Sequence, residues 1–166
     1  MARTLIKRNA TQFDTIQAMK KYSKIGAANP FFKNFIVKNN ITPTLPGIEK
    51  ISRYIWDNVQ FKKDSPRKQQ IRYGTKLLRD GRGNCVDFSV LLSQFLTNLQ
   101  VPHSFIMVAT DKNNPTNYNH IFVVLDNYNL PIDLVIGKDQ TGGGRDTEMQ
   151  LFKSVPYYNS YKLKVL

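Results

Sequence analysis

The feature that most constrains the fold is an apolar helical pattern that begins beside the only cysteine of the chain. From Phe88 onward, apolar residues recur three and four positions apart, which is typical of a buried helix. Asn84 is a good N-cap residue, and Asp87 completes a weak form of the capping box. The stretch 81–88 therefore predicts a buried helix that starts at Cys85. Its apolar residues are Phe88, Leu91, Leu92, Phe95, Leu96 and Leu99.

Cys85 would lie in the first turn of this helix, which is a favourable setting for a thiolate. The first backbone N–H groups of a helix have no intrahelical partner, and the helix dipole adds positive charge there. Such surroundings make a cysteine nucleophilic. A free cysteine is more often a small buried apolar side chain. This alternative stays open unless a base lies near the thiol.

The composition is that of a globular chain with an uneven distribution of charge. Its 166 residues, 41% of them hydrophobic, are enough for one domain with a real core. The net charge is +12, and residues 1–80 hold all of the excess, with 17 Lys and Arg against 5 Asp and Glu. This asymmetry indicates an acidic partner, either nucleic acid or an acidic protein surface, or else a solvated basic surface.

No stretch of the sequence predicts a membrane span or a secretory signal. No apolar run approaches the roughly 20 residues that cross a bilayer, and the N-terminal residues lack the apolar segment of a signal peptide. A single cysteine cannot form an internal disulfide, which fits a reducing compartment. We therefore expect a cytoplasmic protein, or a virion-associated one if it belongs to an assembly, and we expect no cofactor and no metal.

Helical patterns precede strand patterns along the chain, which predicts an α+β fold with helices on an antiparallel sheet. Before the cysteine helix, we expect helices over about 11–25, around 31–36 and over about 46–59. After it, we expect short strands. In the second of them, odd and even residues would face opposite sides. The strands cover residues 104–110, 119–125, 130–136 and 161–166.

Changes of pattern divide the chain into three parts. Residues 1–45 are a basic N-terminal arm and helical extension, residues 46–137 are the core around the cysteine helix, and residues 138–166 are a C-terminal loop and strand. The aromatic segment 31–36 requires a partner against which to bury. The predicted core face of the first helix consists of Phe13, Ile16, Met19 and Tyr22.

His120 and Asp133 are the predicted partners of the thiol. If their strands form a hairpin with Asp126 and Asn127 as its two-residue turn, His120 lies directly opposite Asp133, with Cβ atoms ~5 Å apart. A register shift of two residues would make them diagonal neighbours, still within reach. Thiol chemistry commonly uses a histidine as base and a carboxylate to orient its ring. The alternative is an edge-strand histidine beside a solvated aspartate.

The second histidine, His103, has no predicted carboxylate partner. It follows Pro102 at the start of a strand, and we interpret it as structural or as a substrate contact. A zinc site formed by Cys85 and both histidines is an alternative. The sequence lacks the closely spaced ligand pairs that are typical of such sites, which argues against zinc.

Taken together, these segments resemble the transglutaminase-like superfamily of papain-type thiol enzymes. The resemblance covers roughly residues 46–137, and small members of the superfamily also occur in phages. Its most specific part is the motif at 83–88 with the leucine-rich helix that follows. The other matching segments are Val101-Pro102, His120-Ile121-Phe122-Val123 and Ile132-Asp133.

The resemblance implies a catalytic triad of Cys85, His120 and Asp133 that acts on protein or peptide amides. Cys85 would attack the carbonyl carbon, His120 would transfer the proton, and Asp133 would orient His120. The acyl group would then pass to water or to an amine. The backbone N–H of Cys85 is one candidate for the oxyanion donor. The second donor is left open among the side chains of Gln69, Gln70, Tyr73 and Trp56.

An alternative function is that of a structural subunit in a large assembly, such as a nucleic-acid-containing virion, that keeps this fold without turnover. Three features favour this alternative: the basic first half of the chain, the aromatic segment 31–36 and the extended termini. The two functions are compatible if an enzyme is packaged together with its partner.

Overall fold

The computed structural model describes residues 11–64, 70–72 and 74–166, and the backbone of residues 3–5. It confirms the α+β class, with helices packed on an antiparallel sheet. Of the helices within these ranges, none is long and apolar enough to cross a bilayer. In chain order the elements are β1 (Arg3–Leu5), α1 (Gln12–Gly26), α2 (Pro30–Lys38), α3 (Leu45–Asn58), β2 (Gln60–Phe61), β3 (Gln70–Arg72), α4 (Gly74–Asp80), β4 (Arg82–Gly83), α5 (Cys85–Asn98), β5 (His103–Ala109), β6 (His120–Leu125), β7 (Leu130–Ile132) and β8 (Asn159–Lys164).

Helix α5 is the centre of the fold, as its apolar pattern predicts. Ten of its fourteen residues are buried, because α1, α3, α4 and β6 all pack on it. A helix that is apolar on most of its circumference can be stable in water only in such an enclosed place. The N-terminal end of α5, which carries Cys85, is therefore fixed by the packing of the helix in the core.

Helix α1 confirms the predicted segment but not the whole predicted core face. Ile16 and Met19 are fully buried, whereas Phe13 is 46% exposed. The prediction was wrong for Phe13 because the first turn lies past the edge of the core. There the Phe13 ring contacts Tyr118 and Tyr161 instead of α5.

We expect Thr11→Ala to lower the free energy of unfolding by about 1 kcal/mol, the usual contribution of an N-cap. The Thr11 hydroxyl accepts a hydrogen bond from the backbone N–H of Asp14 at 3.2 Å, and the Asp14 carboxylate accepts one from the Thr11 N–H at 2.9 Å. Urea denaturation measures the change. Thr116→Ala, in an exposed loop, is the matched control. Equal midpoints for the two variants would contradict this role of Thr11.

The aromatic segment of α2 finds its partner inside the chain. Phe32 is buried, and its ring packs edge-to-face on Phe95 of α5 with centroids 4.9 Å apart. Phe35 contacts Phe95 at 5.2 Å and Tyr54 of α3 at 4.5 Å. Helices α3 and α5 are therefore the packing partners of this aromatic segment, and the segment does not by itself indicate a binding partner outside the chain.

The main sheet is antiparallel with the strand order β7-β6-β5-β8. The predicted alternation in β6 is confirmed, because Ile121, Val123 and Leu125 join the core around α5 whereas Phe122 and Val124 belong to a second cluster on the other face. Val155 of the C-terminal segment packs on that second cluster. The last strand, β8, begins and ends two residues before its predicted bounds.

Several short elements between residues 60 and 83 were not predicted. β2 pairs with β4 in parallel, and β1 pairs with β3 in antiparallel orientation, with Leu5 opposite Gln70. Strands of two or three residues are too short to show a period of hydrophobicity. Of the predicted basic arm at 1–10, the structure describes residues 3–5, and the remainder lies outside the described residues.

Candidate active site

Cys85 is the first residue of α5 and is partly exposed. The predicted capping box precedes it. The side-chain oxygen of Asn84 accepts a hydrogen bond from the N–H of Asp87 at 3.1 Å, and the Asp87 carboxylate accepts one from the N–H of Asn84 at 3.0 Å. These reciprocal bonds fix the point at which the helix begins, and with it the position of the thiol.

Asp87 also anchors this end of α5 to strand β3. Its carboxylate is fully buried and accepts hydrogen bonds from the backbone N–H of Arg72, at 2.9 Å, and from the Arg72 guanidinium. The other guanidinium nitrogen donates to Asp64 at 2.9 Å, and Asp64 in turn accepts a bond from the side chain of Asn84 at 3.0 Å. We call Asp64, Arg72, Asn84 and Asp87 the anchor network.

Burial affects the protonation of one member of this network, Asp87. It raises the pKa of Asp87 above the usual range of a carboxyl, although the hydrogen bonds and charge of Arg72 and the N–H of Asn84 pull it down. Neither Arg72 nor Asp64 was predicted from the sequence as part of the site. No local signal points to them, because the capping box already accounts for Asp87 and several basic residues of the chain could have reached it.

His120 and Asp133 lie in direct contact. His120 begins β6, and its Nε2 forms a hydrogen bond of 2.6 Å with the Asp133 carboxylate. The Asp133 side chain is 1% exposed and the His120 side chain 13% exposed. The predicted contact is therefore present, and the alternative of a solvated aspartate is wrong.

The prediction of a two-residue turn between the strands of His120 and Asp133 is wrong. Leu125 pairs with Leu130, so the connection contains four residues and not the two-residue turn of Asp126 and Asn127. Asn129 closes this wider loop in the left-handed region, with φ of 50°. The register is shifted by two residues, and His120 and Asp133 are diagonal neighbours.

The predicted strand at 130–136 also ends early, at Ile132. Asp133 lies just beyond it, and its second carboxylate oxygen accepts a hydrogen bond from the N–H of Val135 at 3.3 Å. Such a local side-chain bond competes with strand pairing and ends the ladder. The same turn holds the Asp133 carboxylate in place for the bond with His120.

The structure brings Cys85 to the ring of His120. Burial alone would lower the pKa of His120, but the hydrogen bonds with Asp133 and Cys85 and the charges of both raise it to about 10. Since Nε2 is bonded to Asp133, Nδ1 is the nitrogen left for the thiol. At neutral pH the histidine is thus an imidazolium between two acidic groups. This arrangement is suited to a thiolate–imidazolium pair.

Cys85 and His120 line a cavity of about 540 Å³. Gln70 also lines it and stays a candidate oxyanion donor, whereas Gln69 and Tyr73 lie outside the described residues. Trp56 is not among the described lining residues. Its ring packs under the Lys138 ammonium, 4.2 Å from the ring centroid, so we assign it to packing.

His103 is structural. It is fully buried, and its ring nitrogens are bonded to the hydroxyl of Ser93 at 2.7 Å and the carbonyl of Val101 at 2.8 Å. Burial lowers the pKa of His103. Both nitrogens are occupied, so His103 does not join Cys85 and His120 as a metal ligand. Within the described part of the chain, no group of three or more His, Cys, Asp and Glu side chains could hold a metal ion.

No protein-family model matches the sequence, and no curated protein matches it. Two solved structures are similar to the chain. A candidate protease from Parabacteroides distasonis is 15% identical with a TM-score of 0.49, covering 68% of this chain and 24% of that one. A candidate cysteine protease from Cytophaga hutchinsonii is 17% identical with a TM-score of 0.43, covering 73% and 45%. The chain thus spans less than half the length of either protein.

Proposed function

We propose that this protein is a thiol-dependent enzyme that cleaves or transfers the acyl group of protein or peptide amides. Cys85 is the nucleophile, His120 the general base and acid, and Asp133 the residue that orients His120. The observation that carries the proposal is the 2.6 Å bond between His120 and Asp133, on a ring that also contacts Cys85 within a cavity. The resemblance to transglutaminase-like thiol enzymes supports the same three roles.

The geometry supports a two-step reaction. In the thiolate–imidazolium pair, His120 already holds the proton of the Cys85 thiol, and the sulfur forms a bond to the amide carbon while negative charge moves to the carbonyl oxygen. As the C–N bond breaks, His120 returns the proton to the leaving nitrogen, which departs as an amine. Water or a second amine then attacks the thioester, with His120 taking its proton, and the Cys85 thiol is restored.

The start of α5 supplies a donor for the oxyanion. Cys85 is the first helical residue, and the N–H groups of the first turn have no intrahelical acceptor. The backbone N–H of Cys85 therefore serves as one donor at the point where the negative charge develops. The side chain of Gln70, which lines the cavity, is the second candidate.

The assembly alternative now rests on the basic first half of the chain. The aromatic segment packs on Phe95, and the described part of the N-terminal arm pairs with β3, so both are accounted for within one chain. An acidic protein surface or a nucleic acid remains a proposed partner of the basic residues. Such binding would weaken steeply as the salt concentration rises, whereas reaction of the thiol with a neutral reagent would not.

The proposed activity is tested with casein as substrate, in the absence and presence of a fluorescent primary amine. We expect release of peptides, incorporation of the amine, or both, and an acyl adduct on Cys85 in the intact mass. Cys85→Ser is expected to abolish each signal, because serine is a far weaker nucleophile beside the same histidine. Persistence of a signal in Cys85→Ser, or no reaction of the wild type, would overturn the proposal.

A further inference from the structure

Phe13 is an exposed aromatic side chain at the edge of the active-site cavity. Its ring packs edge-on against Tyr118 and Tyr161, with centroids 5.8 Å and 5.0 Å apart, yet 46% of the residue is exposed. Gln12 and Thr15, on either side of it in α1, line the cavity. We call Phe13, Tyr118 and Tyr161 the aromatic rim.

The aromatic rim is continuous with the cavity and is held in place. Tyr118 belongs to both, since it lines the cavity and contacts Phe13. Its hydroxyl accepts a hydrogen bond from the side-chain amide of Asn159 at 3.2 Å, and the side chain of Gln12 donates to Asn117, in the same loop, at 3.4 Å. The rim is thus an ordered apolar surface that leads to Cys85.

The chemistry of the cavity wall favours a neutral, apolar side chain. The Asp64 carboxylate accepts hydrogen bonds from Arg72, which also pairs with Asp87, and from the side chain of Asn84. Apart from His120, the charged side chains of the described lining are Asp64 and the exposed Lys63. Much of the remaining wall is apolar, formed by Phe61, Val86, Met107, Ile121, Val135 and Val155.

We propose that the aromatic rim binds a large apolar side chain, aromatic or aliphatic, of the polypeptide whose acyl group is transferred to Cys85. This rests on the proposed function, because it places the substrate in the same cavity. Phe13 is the specificity-determining residue: it is exposed in the free protein and would be covered by the substrate. Aromatic rings favour such partners by apolar burial and by edge-to-face contact.

The test uses N-iodoacetyl hexapeptides, which alkylate Cys85 after binding beside it and do not depend on turnover. One series carries a single Phe or Leu at successive positions, and the matched series carries Glu at the same positions. We expect half-saturating concentrations about tenfold lower for the best apolar peptide than for its Glu counterpart. Phe13→Ala should remove most of this difference, while Ile25→Ala, exposed at the other end of α1, should leave it intact.

Iodoacetamide separates this inference from the proposed function. If iodoacetamide reacts rapidly in a His120-dependent way but the two peptide series label equally, or Phe13→Ala behaves as Ile25→Ala does, the rim proposal is overturned and the enzyme proposal stands. If Cys85 proves unreactive, calorimetry measures the affinity of the acetylated, non-reactive peptides, and this affinity tests the rim proposal. Binding of the apolar peptide that Phe13→Ala weakens about tenfold supports the rim, and equal affinity for the two variants overturns it.

Discussion

Replacing His120 with alanine should slow the alkylation of Cys85 by iodoacetamide at pH 6 by about a hundredfold. An isolated thiol with a pKa of ~8.5 is only a few parts per thousand thiolate at that pH. The pKa of His120 is raised to about 10, so the imidazolium that pairs with the thiolate is present at pH 6 and is lost only as the pH rises through that value. Because this positive charge favours the thiolate, the wild-type rate should rise with pH less steeply than that of a free thiol.

The alkylation rate reports on a single thiol, because Cys85 is the only cysteine of the chain. His103→Gln, which changes the other histidine, is the control, and circular dichroism verifies that both variants are folded. We expect the rate in His120→Ala to rise about tenfold per pH unit below 8, as for a free thiol, while His103→Gln follows the wild type. Parallel pH profiles for the wild type and His120→Ala would contradict the pairing of the thiol with His120.

Replacing Arg72 with methionine is expected to lower the free energy of unfolding by about 3–5 kcal/mol, the range for removing one partner of a buried ion pair. The Asp87 carboxylate, with no exposed surface, would lose its cation and, within the described part of the chain, keep the backbone N–H groups of residues 72 and 84. Asp64 would lose a donor as well. Urea denaturation followed by circular dichroism measures the change.

The matched control is Arg53→Met, whose partner Glu49 lies one turn away on the surface of α3. Exposed pairs of this kind contribute less than about 1 kcal/mol. The loss of unfolding free energy in Arg72→Met, relative to the wild type, should become smaller as the pH falls from 7 to 5. Burial raises the pKa of Asp87, so its protonation favours the folded state and removes the unpaired charge. Similar losses for the two variants, or a defect that grows on acidification, would refute the role of Arg72.

The sequence predicted the parts of the site that depend on local patterns. Helix α5 and its capping box follow from residues within a few positions of Asn84, and the structure confirms both. The contact between His120 and Asp133 was predicted through the wrong turn. It is present all the same, because side chains on one face of a sheet still meet after a shift of two residues.

The parts that were missed depend on contacts between distant segments. Arg72 reaches Asp87 from a strand of three residues, and no local pattern chooses it over the other basic residues. Phe13 has the spacing of a core residue but lies where α1 extends past α5, against Tyr118 and Tyr161. Both errors have one physical cause, since a local pattern predicts the element to which a residue belongs but not which distant segment that element contacts.

The arrangement of the site along the chain sets the order in which it can be assembled during synthesis. Cys85 leaves the ribosome before the hairpin that holds His120 and Asp133, and at about 5–20 residues per second the interval lasts several seconds. During that time the thiol has neither its histidine nor a folded sheet beside it. In the proposed mechanism, the nascent protein therefore carries a cysteine without its catalytic partners, and the site is complete only when β6 and β7 have docked on α5.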